Sequence, residues 1–195
     1  MTDPRWQTLL DETRGVHARI QALSDFCPFP ESLDTRAITP RHDPLCDAMQ
    51  TAHELPGHGF ESFRDALIAA APLGQWRDTY RDTPIGDELH RHFGCYEVVG
   101  RDAPFVTEAM RGFVIYQTAG YHYPMHSHPA EEVYIVIAGE GEFHLEGQPS
   151  RTLRPGDTIF HPSGAPHALT THGSPIMAYV LWRGDLMTKP VFTET

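Results

Sequence analysis

Three histidines, two carboxylates and three tyrosines lie between Tyr121 and Tyr134, inside the stretch GYHYPMHSHPAEEVYIVIAG at residues 120–139. Such a density of nitrogen and oxygen donors suggests a metal site. In extended backbone the side chains alternate between faces, so His126, His128, Glu132 and Tyr134 share one side if a single strand runs regularly through Pro129. Glu131 and Val133 then point the other way. Imidazole with carboxylate suits Zn, Fe, Mn, Ni or Cu, and a set without thiolate argues against a closed structural zinc site. A second group lies in GDTIFHPSGAPH, residues 156–167. Gly156 and Asp157 read as a turn into a strand over 158–161, and a Pro-rich turn then presents His167 as a further ligand.

The two segments match, in order and spacing, the paired signature G(x)5HxH(x)3E(x)6G and G(x)5PxG(x)2H of the cupin superfamily. Gly120, His126, His128, Glu132 and Gly139 fill the first part; Gly156, Pro162, Gly164 and His167 fill the second. Thr171 stands where the second part commonly ends in Asn, a position that is not usually a ligand.

The elements that must position these donors change character along the chain. Asp3 can cap a first helix that begins at Pro4, with Trp6, Leu9, Leu10, Val16, Ile20 and Leu23 at helical spacing. Residues 27–39 are Pro-punctuated and read as a loop. A second helix is expected over about 44–54, capped by Asp43, and a third over about 60–71 before Pro72. The segment RDTYRDTPIGDELHRHFG is mixed, with a short helix in its second part and surface histidines at His90 and His92. From Cys95 onward short β-rich runs separated by Gly, Pro or Ser follow: 96–99, 105–107, 110–117, 132–138, 142–146, 152–154, 158–161, 167–171 and 176–182. Many short strands at this spacing indicate a sandwich or barrel. The expected fold is therefore mainly β, a double-stranded β-helix (cupin, jelly-roll-like barrel) over 95–195, with a helical N-terminal extension over 1–94 packed against it.

Composition sets the outer limits. A chain of 195 residues can bury one good core. The formal net charge of −11 argues against nucleic acid as a partner, since a phosphate backbone would be repelled, and Lys189 is the sole lysine among 15 basic residues. Cys27, Cys46 and Cys95 are odd in number and lack CxxC spacing, so they read as reduced thiols. The first residues carry no basic and apolar leader, and no apolar run is long enough for a bilayer, so a soluble cytoplasmic protein without membrane partners is expected.

The block YHYPMHSHPAEEVYIVIAGEGEF, the tail PIMAYVLWRGDL and the preceding QWRDTY resemble bacterial dimethylsulfoniopropionate (DMSP) lyases of the cupin type. The resemblance is clearest over residues 76–186; the first seventy residues fit in length and helicity. It implies one divalent transition metal (Zn, Fe, Mn, Ni or Co) held by His128, Glu132, Tyr134 and His167. His126 coordinates in many cupins and stands further back in these lyases, which leaves its role open. The second active-site tyrosine of the family corresponds to Tyr123 and its pocket tryptophan to Trp182.

The implied substrate is a small zwitterion, a carboxylate at one end and a dimethylsulfonium at the other, cleaved by β-elimination to dimethyl sulfide and acrylate. A metal at the carboxylate would stabilise the charge that develops as the α-proton leaves, and a base must lie within hydrogen-bond reach of the α-carbon. Tyrosine is a poor base at its usual pKa near 10, but a nearby dication favours the phenolate. Tyr123 is the base if Tyr134 is a ligand, and Tyr134 if it swings free. The sulfonium needs no acid but does need an aromatic wall, for which Trp182, Phe113 and Tyr116 are the candidates. His122, His144, His161 and His172 read as structural or surface residues. Two other classes stay open: another metal-dependent cupin enzyme, a dioxygenase or isomerase, and a non-catalytic sensor. Cupin sheets often pair through an edge, which leaves a homodimer open.

Overall fold

The computed structural model describes residues 3–77, 79–80, 83 and 85–193. Among these residues, five helices and two short 3-10 turns precede or edge a β-rich half. The helices are α1 (Pro4–Arg19), α2 (Gln21–Phe26), α3 (Pro44–Gln50), α4 (Glu61–Ala70) and α5 (Gly86–His92). The Asp3 carboxylate accepts from the Arg5 backbone N–H at 3.0 Å, and Asp43 does the same for Leu45 at 2.9 Å, with Pro next in each case. The first helix is not continuous through Leu23: Ile20 is extended (φ −101°, ψ 103°) and divides α1 from α2. Likewise α3 gives way at Thr51 to a 3-10 turn rather than continuing to Glu54.

The strands are β1 (Asp34–Thr35), β2 (Phe93–Val99), β3 (Phe105–Val106), β4 (Arg111–Gln117), β5 (His122–Ser127), β6 (Glu131–Gly139), β7 (Gly141–Leu145), β8 (Arg151–Leu153), β9 (Thr158–His161), β10 (His167–Thr170), β11 (Ile176–Arg183) and β12 (Val191–Phe192). They form a seven-stranded sheet, β1-β3-β2-β4-β11-β6-β9, and a five-stranded sheet, β12-β5-β10-β7-β8. This is the double-stranded β-helix expected of a cupin.

The central strands β4, β6 and β11 are buried on both faces, which is why 133–138 reads as an unbroken apolar run. Alternation assigns the faces. Val114, Tyr116, Val133, Ile135, Met177 and Tyr179 pack with Trp6, Leu9, Phe63 and Leu67 of the helices. Phe113, Ile115, Tyr134, Val136, Val180 and Trp182 fill the other core, together with Tyr123, Phe143 and Leu169 of the smaller sheet. Each fully buried Leu or Phe there contributes about 1.5–3 kcal/mol, so the helices stabilise the back of the sheet that carries the site.

At Gly139 a positive φ of 71° is combined with close approach: a Cβ would run into the Pro175 carbonyl. Gly164, at φ 73°, presents its N–H to the His128 carbonyl at 2.9 Å and so ties the second motif's turn to the first.

A buried ion pair lies outside the site. Glu97 and Arg111 form a bidentate pair, both contacts 2.8 Å, and Arg111 Nη1 donates to the Leu186 carbonyl at 2.9 Å. Removing one partner strands the other charge, at a cost of about 3–5 kcal/mol. Glu97→Ala should therefore lower the denaturant midpoint sharply, whereas Glu97→Leu combined with Arg111→Met should lose much less. Equal losses in the two proteins would contradict this account.

Candidate metal centre

The chain does not stay regular from His126 to Tyr134. It leaves β5 at Ser127, turns through Pro129 and enters β6 at Glu131, passing from one sheet to the other. The single-strand expectation is corrected accordingly, and convergence has a different origin: the two sheets deliver donors from opposite sides. In the smaller sheet His126 is the cross-strand partner of His167. In the larger sheet Glu132 is flanked by His161 of β9 and Trp182 of β11. His128 comes from the link between them. Glu131 points away, as alternation requires, and pairs with Arg183 at 2.7 Å.

All five of His126, His128, Glu132, His161 and His167 are buried. The Nδ1 of His126, His128 and His167 lies 2.9, 3.0 and 2.9 Å from the carbonyls of Pro124, Ala130 and Ala165. A carbonyl only accepts, so each Nδ1 carries the proton, and a neutral ring then has a bare Nε2. One ligand atom from each of these three rings falls within 4.8 Å of the others, and Glu132, His161 and His167 form an overlapping group that meets the same limit. The Nε2 atoms of His128 and His167 are buried without a hydrogen-bond partner, yet they stand 3.6 and 3.2 Å from Glu132 oxygens. Lone pairs of buried atoms do not face one another at that distance without a cation between them. Ligand atoms bonded at about 2.0–2.2 Å to one ion are themselves about 2.8–3.6 Å apart. The donor set fits a divalent metal.

Electrostatics agree. Burial alone would push the Glu132 carboxyl up, but the surrounding imidazoles of His128, His161 and His167 outweigh it and hold the group well below the usual carboxylate range. Burial, and then the neighbouring His167, hold His126 well below the ordinary imidazole range, which favours the neutral form a metal needs. Each Glu132 oxygen is also fixed by a neutral donor: Trp182 Nε1 donates to Oε1 at 2.6 Å, and His161 Nδ1 donates to Oε2 at 2.9 Å. Orientation of a ligating carboxylate by such partners is typical of metal sites.

A pocket of about 50 Å³ opens onto this group, and its walls include Tyr80, Phe93, Phe113, Tyr123, Tyr134 and Trp182. Tyr123 is stacked between Phe93 (4.2 Å) and His126 (4.1 Å), and its hydroxyl lies 2.6 Å from that of Tyr80. Burial and then the Glu132 charge push the Tyr134 phenol well above its usual range. Burial and then Tyr80 do the same for Tyr123. A cation in the donor set works in the opposite direction on both.

Of the three aromatic residues expected at the substrate, Trp182 and Phe113 line the pocket and meet edge to face at 5.3 Å. Tyr116 does not: three residues from Phe113 on the same strand, it faces the helices and belongs to the other core. Phe113 already has the guanidinium groups of Arg77 and Arg111 over its ring, at 4.9 and 5.1 Å. His161, read from the sequence as structural or surface, is a buried partner of Glu132; its place at the end of a strand after GDTIF was the available signal. His122 and His144 instead face outward and share the Thr170 hydroxyl. Thr171, in place of the usual Asn, bonds to the carbonyl of Thr118 at 2.6 Å and accepts from the Gln117 side chain at 3.1 Å, which fixes the turn leading into β5. Tyr80 was invisible in a polar, Asp-rich segment.

Comparison with known proteins follows the same lines. The dimethylsulfoniopropionate lyase family model matches residues 15–178. Dimethylsulfoniopropionate lyase DddQ of Ruegeria pomeroyi is 46% identical over 192 residues, 98% of this chain and 96% of that protein. The crystal structure of DMSP lyase DddQ from Ruegeria pomeroyi superposes with a TM-score of 0.95 over 98% of both chains. A structure of the DMSP lyases RdDddP and RnDddQII gives 0.93 at 34% identity, also over 98% of each chain. With the two cupin motifs, the full-length relatives and the converged donor set in agreement, the chain belongs to the dimethylsulfoniopropionate lyase family.

Proposed function

We propose that the protein cleaves dimethylsulfoniopropionate by β-elimination to dimethyl sulfide and acrylate, with one divalent transition metal held by His126, His128, Glu132 and His167 and with Tyr123 as the base. The observation that carries this reading is the set of Nε2 atoms, stripped of hydrogen-bond partners and turned toward Glu132, at the end of a small aromatic pocket. A metal bound there supplies charge stabilisation for the substrate carboxylate as the α-proton is lost.

The chain's own residues do the rest. Tyr123, as phenolate, takes the α-proton; the C–H pair becomes the new double bond, and dimethyl sulfide departs with the C–S pair, so no acid is required. Tyr134 is the weaker choice of base, because a phenolate there would face the Glu132 charge. We assign it to the Glu132 side of the site, where it neighbours the metal group and ring-packs against Phe143 at 5.3 Å. The sulfonium is best received by Trp182, since both faces of the Tyr123 ring are covered by Phe93 and His126 and Phe113 already serves two cations.

The test is direct. Purified protein, dialysed against chelator and reloaded separately with Zn, Fe, Mn, Ni or Co, is given the sulfonium substrate; headspace dimethyl sulfide and dissolved acrylate are measured together. Equimolar release that depends on the added metal is expected. Absence of both products with every metal would refute the proposal.

A further inference from the structure

We propose that Tyr80 is a positioning residue for proton abstraction, acting through the hydrogen bond between its hydroxyl and that of Tyr123; this rests on the reading of Tyr123 as the base. The two oxygens are 2.6 Å apart and both side chains are buried in the wall of the same pocket. Tyr123 is held at its ring faces by Phe93 and His126, at 4.2 and 4.1 Å, which fixes the ring plane but leaves its edge and hydroxyl direction to be set by another group. A phenol oxygen has one proton and two acceptor lobes. With one of these directions committed to Tyr80, the remaining ones are left to the pocket that His126, His128 and Glu132 also line.

Tyr80 is itself anchored well enough to act as a reference. The Thr83 N–H and hydroxyl both donate to its carbonyl, at 3.0 and 2.7 Å. Arg77, three residues earlier, donates its N–H to the Cys95 carbonyl of β2 at 2.8 Å. On the far side the Tyr80 ring lies against Phe192 of β12 at 4.7 Å, and β12 pairs with β5, the strand that carries Tyr123. Both members of the hydroxyl pair are thus referred to one sheet.

Tyr80→Phe keeps the ring contacts and removes only the hydroxyl. With the sulfonium substrate it should lower kcat about ten- to a hundredfold, the usual scale for a misaimed catalytic group, while KM and bound metal stay near wild type. In a Tyr123→Phe background the same change should have no further effect on kcat, because its route of action is gone. Phe192→Leu, which loosens Tyr80 without altering its hydroxyl, should show a smaller loss in the same direction and serves if Tyr80→Phe proves unstable. Wild-type kcat in both Tyr80→Phe and Phe192→Leu, or a Tyr80→Phe loss that multiplies in the double variant, overturns the inference. Wild-type kcat in Tyr123→Phe alone would remove the base assignment and this role with it, and that arm separates the two failures.

Discussion

His167→Ala should leave the purified protein without stoichiometric metal and lower dimethyl sulfide release by about a thousandfold or more. His167 is common to both donor groups, one formed with His126 and His128, the other with Glu132 and His161. A bound divalent ion contributes several kcal/mol of charge stabilisation, and each ~1.4 kcal/mol is tenfold in rate, which sets the thousandfold scale. His161→Ala is the informative contrast. His161 holds Glu132 at 2.9 Å through Nδ1, so its loss should weaken metal binding or activity by about ten- to a hundredfold, the scale for a partner that orients a ligand. Elemental analysis of both variants after identical metal loading, set beside headspace assays, checks the pair. A His167→Ala protein that retained one equivalent of metal would sink the proposed ligand set. Substrate-independent stability offers a second readout: the wild type should melt higher with metal than after chelation, by mass action on the folded state, and His167→Ala should not.

The motif spacing made the donors legible, but for a reason the sequence alone misassigned. Alternation aligns His126, His128, Glu132 and Tyr134 only if one strand runs regularly through Pro129. The strand in fact breaks at Pro129, and the donors meet because two sheets face each other, with His126 opposite His167 and Glu132 opposite His161. The motif glycines were readable as turns, and Gly164 shows what such a turn does, since its N–H reaches the His128 carbonyl. The helical half was readable from apolar periodicity, although nothing in the side chains near Ile20 announced the break in the first helix.

The losses came where face or distance decided. Phe113 and Tyr116 were expected to share a wall, but an odd spacing on a strand puts them on opposite faces, and a strand buried on both sides gives no polar residue to mark the difference. His161 lay within a recognised strand, yet its role depends on which residue stands beside it in the sheet. Tyr80 is 43 residues from Tyr123 in sequence, and no local pattern encodes a contact of that range.

Tyr123→Phe should cut kcat by about a hundred- to ten-thousandfold, the range for removing a positioned general base, with metal content unchanged. The substitution deletes one oxygen and keeps the ring that packs between Phe93 and His126, so the pocket's shape and the orientation of His126 are preserved. It also leaves the buried Tyr80 hydroxyl without its partner, at a cost of about 1–3 kcal/mol in stability, which differential scanning calorimetry can measure separately from turnover. KM should move little, because the substrate's charged ends are met by other groups. Tyr134→Phe is the control that decides between the two phenols. If Tyr134 serves only the Glu132 side of the site, its removal should disturb metal affinity more than the rate of the fully loaded enzyme. A Tyr134→Phe protein that is inactive at full metal occupancy, beside an active Tyr123→Phe, would exchange their roles, because a base cannot be deleted without loss of the step it performs.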